Sequence, residues 1–198
     1  MRAALLRQWD LIAAHVPTLD LERPSRVAGW RNRDVLAHLT SQPHLLVRFL
    51  ATASSEPPAM TLVDNLSGTA RFASMIDESV RRSESIDFAA AVEAARASLA
   101  AADLSQSITT LQGSIRVDDY LRTRCVEAVV HGRDFVPPAP CDSDALAVAA
   151  AALLDVLRAR RPDLVAAARA LPDDVWVDAA TGRVTPPDGL AGVLPLLR

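Results

Sequence analysis

Apolar residues return every three or four positions over most of the chain, the period of an amphipathic helix. Leu5, Trp9, Ile12 and Val16 mark a first helix that should stop before Pro17. Asp20 to Gly29 reads as a loop. A second helix, starting at Asn32 or Arg33, carries Val35, Leu36, Leu39, Leu46 and Leu50, with Pro43 expected to kink or divide it. The connector Ala53 to Ala59 leads to a third helix, Leu66 to Arg81, and a fourth, Phe88 to Leu104. Ser107 to Val117, with β-branched residues around Gly113, suits an extended crossover. The next helix should run from Asp118 or Asp119 to about Phe135, ended by Pro137 and Pro138. Asp142 or Ser143 can cap another, Asp144 to Arg160, whose terminal Arg158, Arg160 and Arg161 suit the negative end of a helix dipole. Beyond Arg161, short apolar pieces alternate with Pro162, Pro172, Pro186, Pro187 and Pro195, and no regular element is assigned to most of that stretch.

One helix breaks the apolar rule in an ordered way. Tyr120, Arg124, Glu127, His131 and Asp134 are spaced four, three, four and three apart, so they form one narrow stripe. Val117, Leu121, Cys125, Ala128 and Phe135 flank it on one side, Val126 and Val130 on the other. A polar stripe between apolar flanks should point inward. Taken alone, Glu127 and His131 suit a structural hydrogen-bond network with Arg124 better than a metal site, because buried polar groups must find partners of some kind. His38 shifts that balance. It lies on another helix between Asp34 and Gln42, each one turn away, so two polar stripes can meet. Two His and one carboxylate supply three N/O ligands and leave a coordination position open, the pattern of a catalytic zinc site. Asp34 and Asp134 could orient the ligand imidazoles, although Asp34 equally suits a first helical turn. Cys125 lies about 200° around the helix from Glu127 and is expected to pack as a small hydrophobe. His15 and His44 read as boundary or surface histidines.

Composition narrows the class. Half of the 198 residues are apolar, enough for one domain with a real core, and the scarcity of aromatics (4%) and Gly (7 residues) favours an all-α protein. The net charge is −3 with Arg scattered among acidic residues, which leaves no footprint for nucleic acid. No segment has the length of a membrane span, and the N-terminus lacks the apolar run of a signal peptide, so a cytoplasmic protein with Cys125 and Cys141 reduced is expected. Gly-rich phosphate loops, G-x-S-x-G and Cys-x-x-Cys are missing from the sequence, which removes support for nucleotide binding, serine hydrolysis and dithiol chemistry.

Two segments carry a resemblance. Gly29-Trp30-Arg31-Asn32-Arg33-Asp34-Val35-Leu36-Ala37-His38-Leu39 is similar to the G-W-x-x-x-D-[VL]-x-A-H-L signature of the mycothiol-dependent maleylpyruvate isomerase family, within the DinB/YfiT-like metalloenzyme superfamily. Arg124 to Asp134 resembles its second signature, R-x-x-E-x-x-[VF]-H-x-x-D. The resemblance covers residues 1–161 and implies a DinB-like four-helix bundle, with a divalent metal, zinc first, held by His38, Glu127 and His131. It implies Arg124, Asp34 and Asp134 as supporting residues. It further implies a small-molecule thiol, mycothiol in actinobacteria, whose metal-bound thiolate attacks a small electrophilic substrate in an isomerase or S-transferase reaction, with a homodimer compatible. Two departures stand out. Arg31 replaces the usual capping Ser or Thr, leaving Asn32 to cap. Residues 162–198 form only a short extension where relatives carry a sterol-carrier-like domain, and Trp176 to Arg183 resembles that domain's closing segment. The competing readings are a non-catalytic metal- or small-ligand-binding module and a purely structural polar network.

Overall fold

The computed structural model describes residues 1–83 and 87–197 and is predominantly helical, with one small two-stranded sheet. The first helix, α1 (Arg2–His15), ends in a short 3-10 turn at Pro17. After the loop comes α2 (Asn32–Leu50). Pro43 neither divides nor ends α2. Leu36, Leu39 and Leu46, on both sides of the proline, are buried, and this packing outweighs the missing backbone N–H.

The expected third helix is two helices, α3 (Leu62–Ser67) and α4 (Ala73–Arg81), joined by a 3-10 turn. Thr61 and Asp64 form a reciprocal capping box that starts α3 earlier than the apolar spacing suggests, and Gly68 closes it. The next helix, α5, spans Phe88–Ala101. The expected crossover is instead a hairpin, β1 (Ser107–Thr110) paired antiparallel with β2 (Gly113–Arg116). Two long helices follow, α6 (Val117–Asp134) and α7 (Ser143–Arg160), the second capped by the Asp142 carboxylate on the Ala145 N–H.

The stretch after Arg161 also departs from expectation. It holds α8 (Val165–Arg169) and α9 (Asp173–Ala180), too short to announce themselves by periodicity. Arg198, the last residue of the C-terminal extension, lies outside the described residues.

Helices α1, α5, α2 and α6 neighbour one another in a ring, and α7 packs on the outer side of α6. Two apolar cores result, one on each side of α6. Leu5, Trp9, Leu36, Leu99 and Leu121 belong to the first; Val129, Leu153, Leu157, Trp176 and Leu194 belong to the second. A helix enclosed on both sides has little surface to give to water, so the polar stripe of α6 must be satisfied from within the protein. Gly132 lets α1 come close, since a Cβ there would meet Ile12 at 3.3 Å. Among the described residues no helix is long and apolar enough to cross a membrane.

Candidate metal centre

Helices α2 and α6 bring His38, Glu127 and His131 together. His38 Nε2 lies 3.0 Å and His131 Nε2 3.4 Å from the same carboxylate oxygen, Glu127 Oε2. One ligand-capable atom from each residue fits within 4.8 Å of the others, and the two imidazole rings meet edge to face at 4.6 Å. Ligand atoms of a tetrahedral zinc ion stand about 3.3 Å apart. The N and O donors present suit a divalent cation in chemistry, and the two distances to Glu127 Oε2 are near that spacing.

The two imidazoles are held differently. His131 Nδ1 lies 2.9 Å from Asp134 Oδ2, and Asp134, fully buried, accepts two further bonds from Arg183, at 2.7 and 3.1 Å. Among the described residues His38 has no carboxylate partner besides Glu127; Gln42 Nε2 lies 3.4 Å from its Nε2, and Trp30 packs against its ring at 5.7 Å. Trp30 also stacks on His131 and donates its indole N–H to Asp77 on α4.

Charge follows from this geometry. Burial opposes the charged form of His131, but the hydrogen bonds to Asp134 and Glu127 outweigh it and push the imidazole up to about 9. His38 goes the other way, because burial lowers its pKa and one bond to Glu127 does not compensate. Burial would raise Glu127, yet bonds from His131 and His38 and the Arg124 charge hold it well below the usual carboxylate range. Asp134 is held at about 2 against burial by His131 and Arg183.

The remaining candidates sort by position. Arg124 is buried with its guanidinium over the Tyr120 ring at 4.6 Å and bonded to Gln42 Oε1 and Thr123 Oγ1. Asp34 does not reach His38; its carboxylate accepts the Arg31 N–H at 2.8 Å and closes the first turn of α2. Asn32 is not the cap. Its buried carboxamide bonds Asp20 O, Val136 O and the Val136 N–H, tying the loop to the end of α6. Cys125 lies among apolar residues, and burial pushes its thiol up to about 12. His15 contacts Pro137 O, and His44 is exposed.

The sequence model of the mycothiol maleylpyruvate isomerase N-terminal domain matches residues 2–135. The chain belongs to that family. Comparison with curated proteins and with solved structures finds no match. The family's name associates the domain with mycothiol and an isomerase, and the matched region contains α1 to α6 with His38, Glu127, His131 and Asp134. Arg183 falls outside it. Gly182, at φ 77°, reverses the chain after α9 so that Arg183 returns to Asp134, a conformation glycine adopts without strain. Asp178 on α9 receives two bonds from Arg133 on α6, at 3.1 and 3.0 Å, a second tie beside the first. Sequence reasoning did not find the roles of Trp30 and Arg183, since both sit in irregular segments without a period to read.

Two cavities open beside the site. The larger, about 320 Å³, is bounded by α2, α3, α4, the hairpin and α6, and reaches His38, Glu127 and Arg124. The smaller, about 240 Å³, lies on the other side with Trp30, His131, Thr181 and Arg183 in its wall.

Proposed function

We propose that this member of the mycothiol maleylpyruvate isomerase family is a metal-dependent, thiol-using enzyme, an isomerase or S-transferase acting on a small electrophile. His38, Glu127 and His131 would hold one divalent ion, zinc first, in a DinB-like bundle. The observation that supports this most is the convergence of the three donors beside two cavities, in a chain whose family name carries the thiol. When bound, a divalent cation with two neutral His and one carboxylate keeps a net charge of +1 and favours an anionic fourth ligand, making a thiol acidic near neutral pH.

The chain's own residues then have defined work. Asp134, fixed by Arg183, holds the proton on His131 Nδ1 and leaves Nε2 to face the other donors. Trp30 packs on both imidazoles and keeps bulk water from them. Arg124 sets a fixed positive charge beside Glu127, and Gln42 keeps it there. The apolar wall of the larger cavity lowers the local dielectric and strengthens these interactions.

One observation favours a second reading. Without any ion, the imidazolium of His131 between Glu127 and Asp134 is already a balanced buried network of the packing-specifying kind. Elemental analysis of the purified protein separates the two: the enzyme reading expects about one equivalent of divalent metal. In cobalt-substituted protein, mycothiol or a simpler thiol should add a sulfur-to-metal charge-transfer absorption that disappears in Glu127→Ala. A cobalt spectrum indifferent to saturating thiol would remove the thiol mechanism and leave metal binding standing.

A further inference from the structure

One helix beside the site is held far more loosely than its neighbours. Helix α4 turns Ile76, Asp77 and Val80 toward the protein, and of these only Val80 is buried; its other positions are exposed. Helix α2, on which α4 packs, buries residues along its whole length. Among the described residues one side-chain hydrogen bond ties α4 to the rest of the protein, from the Trp30 indole N–H to Asp77 Oδ1 at 2.9 Å. Glu78 bonds only Arg82, one turn on. A segment with few buried apolar contacts and one tie sits at the low end of local stability.

Anchor and hinge are distinct. Helix α3 is fixed, with Leu62 and Leu66 buried in the core it shares with α6 and α7. Between α3 and α4, Thr69–Phe72 form a 3-10 turn with no buried residue. Hydrogen bonds of that type are poorer than those of an α-helix, and a short 3-10 stretch between helices is a natural place to bend.

The position of α4 makes its looseness consequential. Ile76 stands in the walls of both cavities, as do His38 and Glu127. Movement of α4 about the 3-10 turn would withdraw Ile76 and join the two cavities beside those donors. Trp30, the partner of Asp77, packs on the imidazoles of both His38 and His131, so the tie and the donor cluster share one side chain.

We propose that α4 is a hinged flap over the donor cluster, latched by Asp77 on the Trp30 indole, and that its opening merges the two cavities to admit ligands too large for either. Asp77 is a positioning residue, since its carboxylate bonds Trp30 and acts on the donors through it. That the ligands admitted are a thiol and an electrophile rests on the proposed thiol-using function; the motion of α4 does not.

Hydrogen–deuterium exchange read by mass spectrometry, with acrylamide quenching of tryptophan fluorescence, tests this on the purified full chain. In the wild type the α4 amides should exchange faster than those of α2 and α6. Asp77→Ala and Trp30→Phe each remove the latch and should speed α4 exchange about fivefold, the worth of one hydrogen bond, with α2, α5 and α6 unchanged. Combining the two should add less than about twofold, because both remove the same bond. Asp77→Asn keeps the Oδ1 acceptor and should stay within about twofold of the wild type. Trp9 and Trp176 are fully buried, so quenching reads Trp30; it should rise in Asp77→Ala and not in Asp77→Asn. Wild-type α4 amides as protected as those of α2, equal acceleration of every helix in Asp77→Ala, or faster α4 exchange without greater quenching overturns the proposal. Should circular dichroism show Trp30→Phe unfolded, the contrast between Asp77→Ala and Asp77→Asn decides. Neither measurement needs the ion, so a failure of the metal-centre reading shows separately, in elemental analysis of the same samples.

Discussion

The His38 and His131 sides of the centre are built in opposite ways. On the His131 side the polar groups answer one another: imidazole to Asp134, Asp134 to Arg183, and Arg133 to Asp178 beside them. On the His38 side the ring rests against Trp30 and Gln42 and lines a cavity, and the buried Asn65 Oδ1 and Gln112 Oε1 nearby have no partner among the described residues. A satisfied network resists change, because each atom moved breaks a bond. The contrast gives one imidazole a bonded frame and the other a looser, mostly apolar setting.

The largest effect expected from breaking this arrangement is loss of the ion itself. His38→Ala, Glu127→Ala and His131→Ala should each weaken metal retention by more than about a hundredfold, exceeding the effect of any supporting residue. His44→Ala and Cys125→Ala should leave it unchanged. Equal metal content in the wild type and His38→Ala, read by elemental analysis, would unseat the three-ligand assignment.

The next effect tests the rigid side alone. Arg183→Met leaves Asp134 buried with His131 as its remaining side-chain partner among the described residues, and metal affinity should fall about 10- to 100-fold. Competition with a chelator measures this. An Arg183→Met protein with wild-type affinity would mean that the tie shapes the fold without tuning the ligand.

The smallest effect is graded with pH. Ligation requires a neutral imidazole, and His131 in the metal-free protein holds its proton up to about 9. Metal affinity should therefore rise about tenfold per pH unit from about 6.5 to about 9, with one proton released per ion, while His38, lowered by burial, adds a second only at more acid pH. Stability of the metal-free protein should move the opposite way. A raised imidazole pKa contributes fully below the unfolded value of 6.5, and its contribution is lost as pH climbs through about 9. Titrations in buffers of different ionisation enthalpy, with parallel thermal melts, check both signs. Affinity that stays flat between pH 7 and 9 would argue that His131 is not a ligand.

How much of this could be read from the residues depended on periodicity. The stripe from Tyr120 to Asp134 was legible because α6 is long, and five polar residues in an otherwise apolar repeat mark an inward face. His38 was legible through its motif and the neighbouring turn residues. Cys125 was placed correctly by its angle around the helix. Asp34 was ambiguous, since a carboxylate one turn before a ligand has the same spacing as a first-turn cap, and it took the cap. The division of α3 from α4 turned on local contests, the Thr61 box and Gly68, that the apolar spacing around them obscured. Arg183 had no local signature, because its partner is 49 positions away and the segment between holds several short elements. The unpartnered oxygens of Asn65 and Gln112 could not be found at all before the fold was seen, since an unanswered oxygen is a property of three-dimensional packing.

The separation between Asp134 and Arg183 also sets an order in time. A chain made at about 5–20 residues per second takes about 2 to 10 s to advance the 49 positions from Asp134 to Arg183, so the three candidate ligands are made before the arginine that steadies one of them exists. During that interval Asp134 has His131 but lacks the guanidinium of Arg183. The centre is thus completed by a segment made later, which acts as the latch on a site whose other parts are already in place.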